Sequence, residues 1–220
     1  MIRQFHDSAI IEKGSNYFLA PFIIFQMLLD LDIFKIENKL APRKGRVLIA
    51  EPFLPGEYFS RSTVLLVQCS EDGDVGFILN KPTDLLIKDL LKGFPDLDFN
   101  AFLGGPVSSD KLFFLHTLGE RIPDSLQISG KLYWSGDFEH LVSLMRAGLV
   151  GEEEVRFFLG YSGWSTGQLE AEIADRSWVV TEPTVESILS SDEDFWNESI
   201  KSIGGNALLW QNFPENPELN

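Results

Sequence analysis

The chain carries few residues whose type and spacing could support catalysis, and Ser165 is the first of them. Residues 163–167 read Gly-Trp-Ser-Thr-Gly, which fits the G-x-S-x-G pattern of a nucleophile elbow between a strand and a helix. The usual hydrolase order is serine, then acid, then histidine, yet all three histidines of this chain precede Ser165. A helix entry capped by Ser165 or Thr166 explains the same residues without catalysis.

Cys69 and His116 are the second candidate, because a thiol–imidazole pair needs only proximity in space. Cys69 ends an apolar stretch, where cysteine is usually a small buried hydrophobic residue. His116 follows Leu-Phe-Phe-Leu, which favours a core histidine. A hydrolase or transferase that uses Cys69 with His116, or Ser165, is therefore the alternative function, and we assign no catalytic residue.

Metal and phosphate sites find little support in the sequence. One cysteine and three distant histidines match no zinc-ligand spacing. Residues 104–108 (Gly-Gly-Pro-Val-Ser) could cradle an anion with backbone N–H groups, but they lack the lysine and helix entry of a P-loop. Asn80-Lys81-Pro82 has a structural explanation as well, since Asn tolerates unusual turn geometry and Pro ends a strand. We therefore predict no metal and no cofactor.

The elements that would position these residues follow from hydrophobic patterning and turn residues. Predicted strands cover residues 46–50, 63–69, 75–79, 101–103, 112–116, 132–134, 155–161 and 178–181. Predicted helices begin at Thr83 and at Asp137 and cover 168–174 and 192–203. A hairpin comes first and helices are mixed in later, which indicates an α+β fold.

The charge balance restricts the partners. The 220 residues include 33 Asp and Glu but only 18 Lys and Arg, so the formal net charge is −15. A field of this sign repels nucleic acid and anionic membranes. The apolar run at 17–29 is shorter than the roughly 20 residues that span a bilayer. We predict a cytoplasmic protein that binds neither nucleic acid nor membrane.

An ordered set of short motifs carries a family resemblance. The motifs are Gly45–Pro52, Phe59–Ser62, Gly76–Pro82, Leu103–Val107, Leu115-His116, Gly160–Trp164, Gly167–Glu170 and Trp178. Their order and spacing resemble the AlgH/YqgE family of bacterial proteins. The resemblance implies an α+β fold whose mixed sheet includes a small closed β-barrel flanked by helices. The family has no established biochemical activity, and some members are labelled transcriptional regulators, which is our second alternative.

The same resemblance sets the expected domain boundaries. Residues 1–44 are interpreted as an N-terminal extension and basic linker outside the core, of which 1–26 should be dispensable for folding. Residues 45–205 form the single AlgH/YqgE-like domain, and 206–220 a frayed acidic tail. Because the catalytic motifs are weak, the preferred function is non-catalytic recognition or regulation, with an unknown protein or small ligand as the partner.

Three motif loops are the predicted functional surface, since loops on a rigid scaffold often carry recognition. We expect residues 80–82, 104–107 and 161–168 to lie near one another, where amide groups, glycines and an indole suit binding. Packing of these loops against each other to complete the fold is the competing explanation. The candidate binding residues are Asn80, Lys81, Pro82, Gly104, Gly105, Pro106, His116, Tyr161, Gly163, Trp164, Gly167 and Gln168.

Overall fold

A computed structural model describes residues 36–213, and its central element is a sheet of ten strands. The strands are β1 (Val47–Ala50), β2 (Thr63–Ser70), β3 (Gly73–Ile78), β4 (Pro82–Leu86), β5 (Asn100–Leu103), β6 (Val107–His116), β7 (Leu126–Ser129), β8 (Leu132–Trp134), β9 (Val155–Trp164) and β10 (Trp178–Thr181). The helices are α1 (Ile87–Leu90), α2 (Phe138–Arg146), α3 (Gln168–Ala174), α4 (Val185–Leu189) and α5 (Phe195–Ile203). The predicted α+β class is confirmed.

The strand order is β10-β1-β2-β3-β9-β6-β8-β7, and β5 pairs with both β4 and β9. All pairs are antiparallel except β5–β9, which is parallel. Strand β9 is central because β6 pairs along one side of it, while β5 and β3 share its other side. The motifs at 104–107 and 161–164 therefore meet along one strand.

The expectation of a closed barrel is wrong. Strands β10 and β7 are the two ends of the sheet, and among residues 36–213 no ladder joins them. The sheet curls far enough for Val47 and Ile128 to share one core cluster. The segment that precedes β1 contacts β7 through a side chain, because the Lys44 ammonium donates to the Gln127 carbonyl at 2.9 Å. A curled sheet with side-chain contacts across the gap thus replaces barrel closure.

The helix predicted to begin at Thr83 is also wrong. Residues 82–86 form strand β4, and only Ile87–Leu90 is helical. The Thr83 hydroxyl donates to the Ala101 carbonyl at 2.8 Å instead of capping a helix. Pairing with β5 therefore overrides the local helical pattern, since it satisfies backbone groups that an isolated short helix would leave exposed. Helix α3 covers the predicted residues, and the predicted Asp137 cap of α2 is confirmed by a 2.9 Å bond from the His140 N–H.

The core includes segments beyond the expected domain. Residues 205–212 form a 3-10 helix in which Ala207 and Trp210 are buried, so part of the expected tail packs into the main core cluster. At the other end, Ile36 packs against the same cluster. The side-chain amide of Asn38 donates to the Trp178 carbonyl at 2.7 Å and accepts from the Val180 N–H at 2.6 Å. The expectation for residues 1–26 lies outside the described residues.

No helix within residues 36–213 is long and apolar enough to cross a bilayer.

Candidate functional site

Asn80 joins the loop that follows β3 to the loop that precedes β2. Its carbonyl oxygen accepts from the Thr63 N–H at 2.9 Å and from the Thr63 hydroxyl at 3.1 Å. Its amide group donates to the Arg61 carbonyl at 2.9 Å, and Arg61 has φ of 47°. Asn80 is only 7% exposed, so its polar groups serve the fold and hold an unfavourable backbone conformation in place.

Gly104 and Gly105 lie directly against the backbone of β9. A Cβ at Gly104 would lie 2.2 Å from the Gly160 oxygen, and one at Gly105 would lie 2.3 Å from the Tyr161 carbonyl carbon. The Gly104 N–H donates to the Leu159 carbonyl at 2.8 Å, so it does not face an anion. These glycines permit a close backbone crossing, which agrees with the structural explanation of the turn.

The motif after β9 is organised by Glu172, which sequence reasoning did not single out. One carboxylate oxygen accepts from the indole N–H groups of Trp164 and Trp178, both at 2.8 Å. The other accepts from the Gln168 amide at 2.9 Å. Gln168 and Glu172 are four residues apart on a helix, and this spacing was the signal in the sequence that could have predicted their contact. Trp164 is buried in this network and presents little surface to a partner.

The structure brings some predicted site residues together and separates others. The Leu103 N–H donates to the Lys81 carbonyl at 2.8 Å, so the loop at 80–82 lies next to the turn at 104–105, and Gly105 of that turn lies against the Tyr161 backbone. Pro106, Gly163, Gly167 and Gln168 are exposed, whereas Lys81 and Pro82 are half-buried. His116 pairs with Val155 at the opposite end of β9 from Trp164. That these residues form a binding surface stays a prediction.

Ser165 lacks the geometry of a nucleophile elbow. The residue with left-handed backbone is Gly167, at φ 75°, and Gly167 also occupies the N-cap position of α3 that was predicted for Ser165 or Thr166. The Ser165 hydroxyl donates to the side-chain amide oxygen (Oε1) of Gln168 at 3.0 Å. A carboxamide oxygen is not a base that could activate the hydroxyl, since nucleophilic serine needs an adjacent general base.

Cys69 and His116 do not form a dyad. Cys69 pairs with Asp74 in the β2–β3 hairpin, and Asp74 pairs with Trp164 at the end of β9. His116 pairs with Val155 at the start of the same strand. These positions are nine residues apart, or roughly 30 Å along an extended strand. The structure therefore excludes the thiol–imidazole pair.

The Cys69 thiol is also unreactive by environment. Burial raises its pKa to about 12, and a hydrogen bond to the Asp74 carboxylate acts in the same direction. Burial likewise raises the pKa of Asp74. We expect 5,5′-dithiobis(2-nitrobenzoate) to modify native Cys69 roughly 1000-fold more slowly than an ordinary thiol, because the thiolate is the reactive species. Asp74→Asn should accelerate the reaction, whereas rapid labelling of the native thiol would contradict this assignment.

His116 is a buried histidine in a mostly neutral environment. Its Nε2 lies 3.1 Å from both the Ser135 carbonyl oxygen and the Ser125 hydroxyl oxygen. Its ring stacks on Tyr133 with centroids 5.7 Å apart, and its Nδ1 has no hydrogen-bond partner among the described residues. Burial lowers the pKa of His116 below its ordinary value of 6.5.

This depressed pKa predicts an acid-sensitive fold. Below about pH 6.5 the unfolded chain binds a proton that native His116 resists, so the free energy of unfolding should fall as the pH drops toward the folded pKa. The slope from one group is at most about 1.4 kcal/mol per pH unit. Chemical denaturation should show that, between about pH 7 and pH 5, the free energy of unfolding of His116→Gln falls less than that of wild type. The exposed-histidine variant His140→Gln should behave like wild type, and identical slopes for all three proteins would contradict the assignment.

A groove of about 910 Å³ lies away from the motif loops. One wall is residues 36–40, the floor includes Val179 and Phe195, and the other wall is the end of α5 with residues 204–207. Sequence reasoning missed this groove, because both walls include segments assigned to a linker or tail.

Arg156 fastens the groove's helices to the sheet. Its guanidinium donates to the Ser191 hydroxyl at 2.6 Å and the Leu79 carbonyl at 2.7 Å, and to the Ile188 carbonyl at 3.1 Å. It also lies 3.7 Å above the Phe102 ring. Burial lowers the pKa of Arg156 to about 9. The α4–α5 segment is thus held by a buried cation that satisfies several carbonyl groups at once.

Within residues 36–213, no group of three or more His, Cys, Asp or Glu side chains is arranged to hold a metal ion.

Comparison with known proteins defines the class of this fold. Residues 47–208 match the family described as AlgH-like, and the chain belongs to that family. The resemblance to the AlgH/YqgE family is therefore confirmed. A UPF0301 protein of Parabacteroides distasonis is 46% identical over 193 residues, which cover 86% of this chain and 98% of that protein.

Two solved structures are similar to this fold. The solution structure of AlgH from Pseudomonas aeruginosa has a TM-score of 0.62 and 26% identity, covering 80% of this chain and 98% of its own. A crystal structure of a protein from Corynebacterium diphtheriae has a TM-score of 0.68 and covers 81% and 95% of the two chains. At 21% identity, the second likeness shows the fold alone.

Proposed function

We propose that this chain is a non-catalytic recognition protein that binds its partner in the groove between residues 36–40 and α5. The observation that carries the proposal is the groove itself, whose volume of about 910 Å³ lies within the range of ligand sites. Its floor is apolar, with Val179, Phe195 and Ala207 buried beneath it. Such a surface suits burial of apolar groups of a partner.

The candidate catalytic groups support recognition over catalysis. Burial raises the pKa of the Cys69 thiol to about 12. Cys69 is aligned with the Trp164 end of β9, whereas His116 pairs with Val155 at the other end. The Ser165 hydroxyl donates to the side-chain amide oxygen of Gln168, and none of the three candidate residues lines the groove. The net charge of −15 opposes binding to nucleic acid. A protein or small-molecule partner therefore remains the favoured class.

The test blocks the groove with a bulky residue at its rim. Ser202 and Ser143 are exposed serines on α5 and α2, and each donates to a carbonyl of its own helix. Ser202→Trp should obstruct the groove, whereas Ser143→Trp is a matched change on another surface. Cross-linking and mass spectrometry from the native host should recover a partner with wild type and Ser143→Trp but not with Ser202→Trp. Recovery that is unchanged by Ser202→Trp would refute the groove as the binding site.

A further inference from the structure

We propose that the apolar segment of this same chain, residues 17–29, binds in the groove and that a partner must displace it. This inference rests on the proposed function and adds the regulation of that site. Three observations carry it. The rim of the groove has no net charge, its floor is apolar, and its first wall is joined to the apolar segment by a short tether.

The charged groups around the groove balance one another. The three carboxylates and the three cations are Glu37, Glu182, Glu198, Lys39, Arg43 and Arg46. Glu182 pairs with Arg43 at 2.9 Å and with Arg46 at 3.2 Å, and Lys39 lines the groove together with the other two carboxylates. Charge complementarity at this rim therefore favours neither an anionic nor a cationic ligand, and an uncharged occupant fits it best.

The hydrogen-bonding groups of the rim are mixed as well. Lys39 and Asn206 offer N–H donors. The Ser202 hydroxyl donates to the Ser199 carbonyl at 2.7 Å, so its oxygen remains available as an acceptor. Each residue of a polypeptide other than proline carries one N–H donor and one carbonyl acceptor, so a peptide backbone can use both kinds of group.

The apolar segment supplies the side chains that the floor of the groove can bury. Val179 and Phe195 belong to the floor and to the main core cluster, and Ile36 and Ile203 pack against that cluster from the two walls. Residues 17–29 read Tyr-Phe-Leu-Ala-Pro-Phe-Ile-Ile-Phe-Gln-Met-Leu-Leu, with no charged residue and no histidine. Contact between these two apolar surfaces is favourable, because it removes both of them from water.

The tether makes this contact intramolecular. Ile36 lines the groove, and only residues 30–35 separate it from the apolar segment. These residues reach at most about 20 Å when extended. A short flexible tether gives an effective concentration of about 1 mM, so a weak contact is enough to fill the groove. The apparent Kd of a partner then rises as the fraction of open grooves falls.

The groove does not need the apolar segment in order to form. Its walls and floor consist of residues 36–40 and of residues between 179 and 207, all of which belong to the described domain. The segment therefore binds a completed site, and its release should expose the groove without unfolding the domain.

Disulfide trapping in the full chain tests this contact. Ile24→Cys is combined either with Ser202→Cys at the groove or with Ser143→Cys on another surface, both in a Cys69→Ser background. Ser202 and Ser143 are both exposed, and only Ser202 lines the groove. Under mild oxidation, the Ser202 pair should form an intramolecular disulfide at least about tenfold faster than the Ser143 pair, because binding holds position 24 near α5. Mass spectrometry of tryptic peptides identifies the linked cysteines.

Two double variants of the apolar segment are matched to each other. Phe22→Asp with Phe25→Asp places charges in the segment, which should reduce the ratio of the two disulfide rates to about twofold or less. Recovery of the cellular partner by cross-linking should rise in this variant, because the groove is open. Phe22→Leu with Phe25→Leu keeps the segment apolar and should preserve both the ratio and the recovery.

Each contrary outcome refutes a defined part of the proposal. Equal rates for the two cysteine pairs, or a ratio unchanged by the aspartates, would show that the segment does not bind in the groove. If Ser202→Trp still abolishes recovery of the partner in that case, the proposed function stands. A tenfold ratio combined with partner recovery that Ser202→Trp leaves unchanged would instead refute the proposed function.

Two further results would contradict the regulation itself. If the aspartates reduce the ratio but recovery of the partner does not rise, the segment does not compete with the partner. If the disulfide links two chains, a second copy supplies the segment, and the intramolecular inference is wrong.

Discussion

Replacing Gly105 by alanine is expected to lower the free energy of unfolding by about 3 kcal/mol or more. The new Cβ would lie 2.3 Å from the Tyr161 carbonyl carbon and 2.5 Å from the Ser162 nitrogen, and both atoms belong to the central strand β9. Backbone atoms in a paired strand cannot move aside as a flexible side chain would. The backbone of Gly105, at φ 152°, adds strain for a residue with a side chain.

Urea denaturation of Gly105→Ala measures this cost, and Gly163→Ala is its control. Gly163 is a residue of β9 and has no positive φ. A Cβ at Gly163 would lie 3.3 Å from the edge of the half-buried Tyr161 ring. That ring can rotate slightly, so Gly163→Ala should cost about 1 kcal/mol or less. A Gly105→Ala protein as stable as wild type would show that the turn moves freely, and the close backbone crossing would lose its structural importance.

Replacing Asn80 by alanine should also destabilise the fold by about 3 kcal/mol. The change removes an acceptor from the Thr63 N–H and hydroxyl, and a donor from the Arg61 carbonyl. Thr63 is fully buried, so its N–H cannot find water as a replacement partner. An unsatisfied buried group costs more than an exposed hydrogen bond contributes, which makes this loss larger than that of a surface amide.

Comparing Asn80→Ala with Gln168→Ala distinguishes an effect on stability from an effect on partner binding. Gln168 is exposed, so its loss should cost about 1 kcal/mol. We expect thermal melting to show a large decrease in melting temperature for Asn80→Ala and a small decrease for Gln168→Ala. The Gln168→Ala protein should still bind its partner in the groove. If Asn80→Ala instead melts like wild type and loses its partner, the motif loops are the binding surface and the groove is not.

The sequence predicted the local elements well where neighbouring residues decide them. Helix α3 and strand β10 have the predicted bounds, and the Asp137 cap is present. Strand β7 and helix α4 were missed, because each is short and lacks a strong pattern. Strand β4 was predicted as a helix, since its apolar spacing fits a helix and its partner β5 lies about 15 residues further along the chain.

The candidate sites show the same division between local and distant information. Motif spacing placed residues 80–82, 104–107 and 161–168 in loops or at strand ends, yet it did not reveal that Asn80 and Trp164 are buried. Their hydrogen-bond partners, Thr63 and Glu172, are identified only by the folded chain. The groove was not predicted, because its walls come from both ends of the described chain.

By itself, the sequence determined the α+β class, the family, the acidic charge and most strand positions, because these depend on composition and on patterns within a few residues. Only the tertiary structure decided that the sheet curls without closing, that Cys69 of β2 and His116 of β6 are aligned with opposite ends of β9, and that residues 36–40 meet α5 in a groove. Each of these features is a contact between residues far apart in the chain. Packing free energy selects such contacts in the folded protein as a whole, and no local pattern records them.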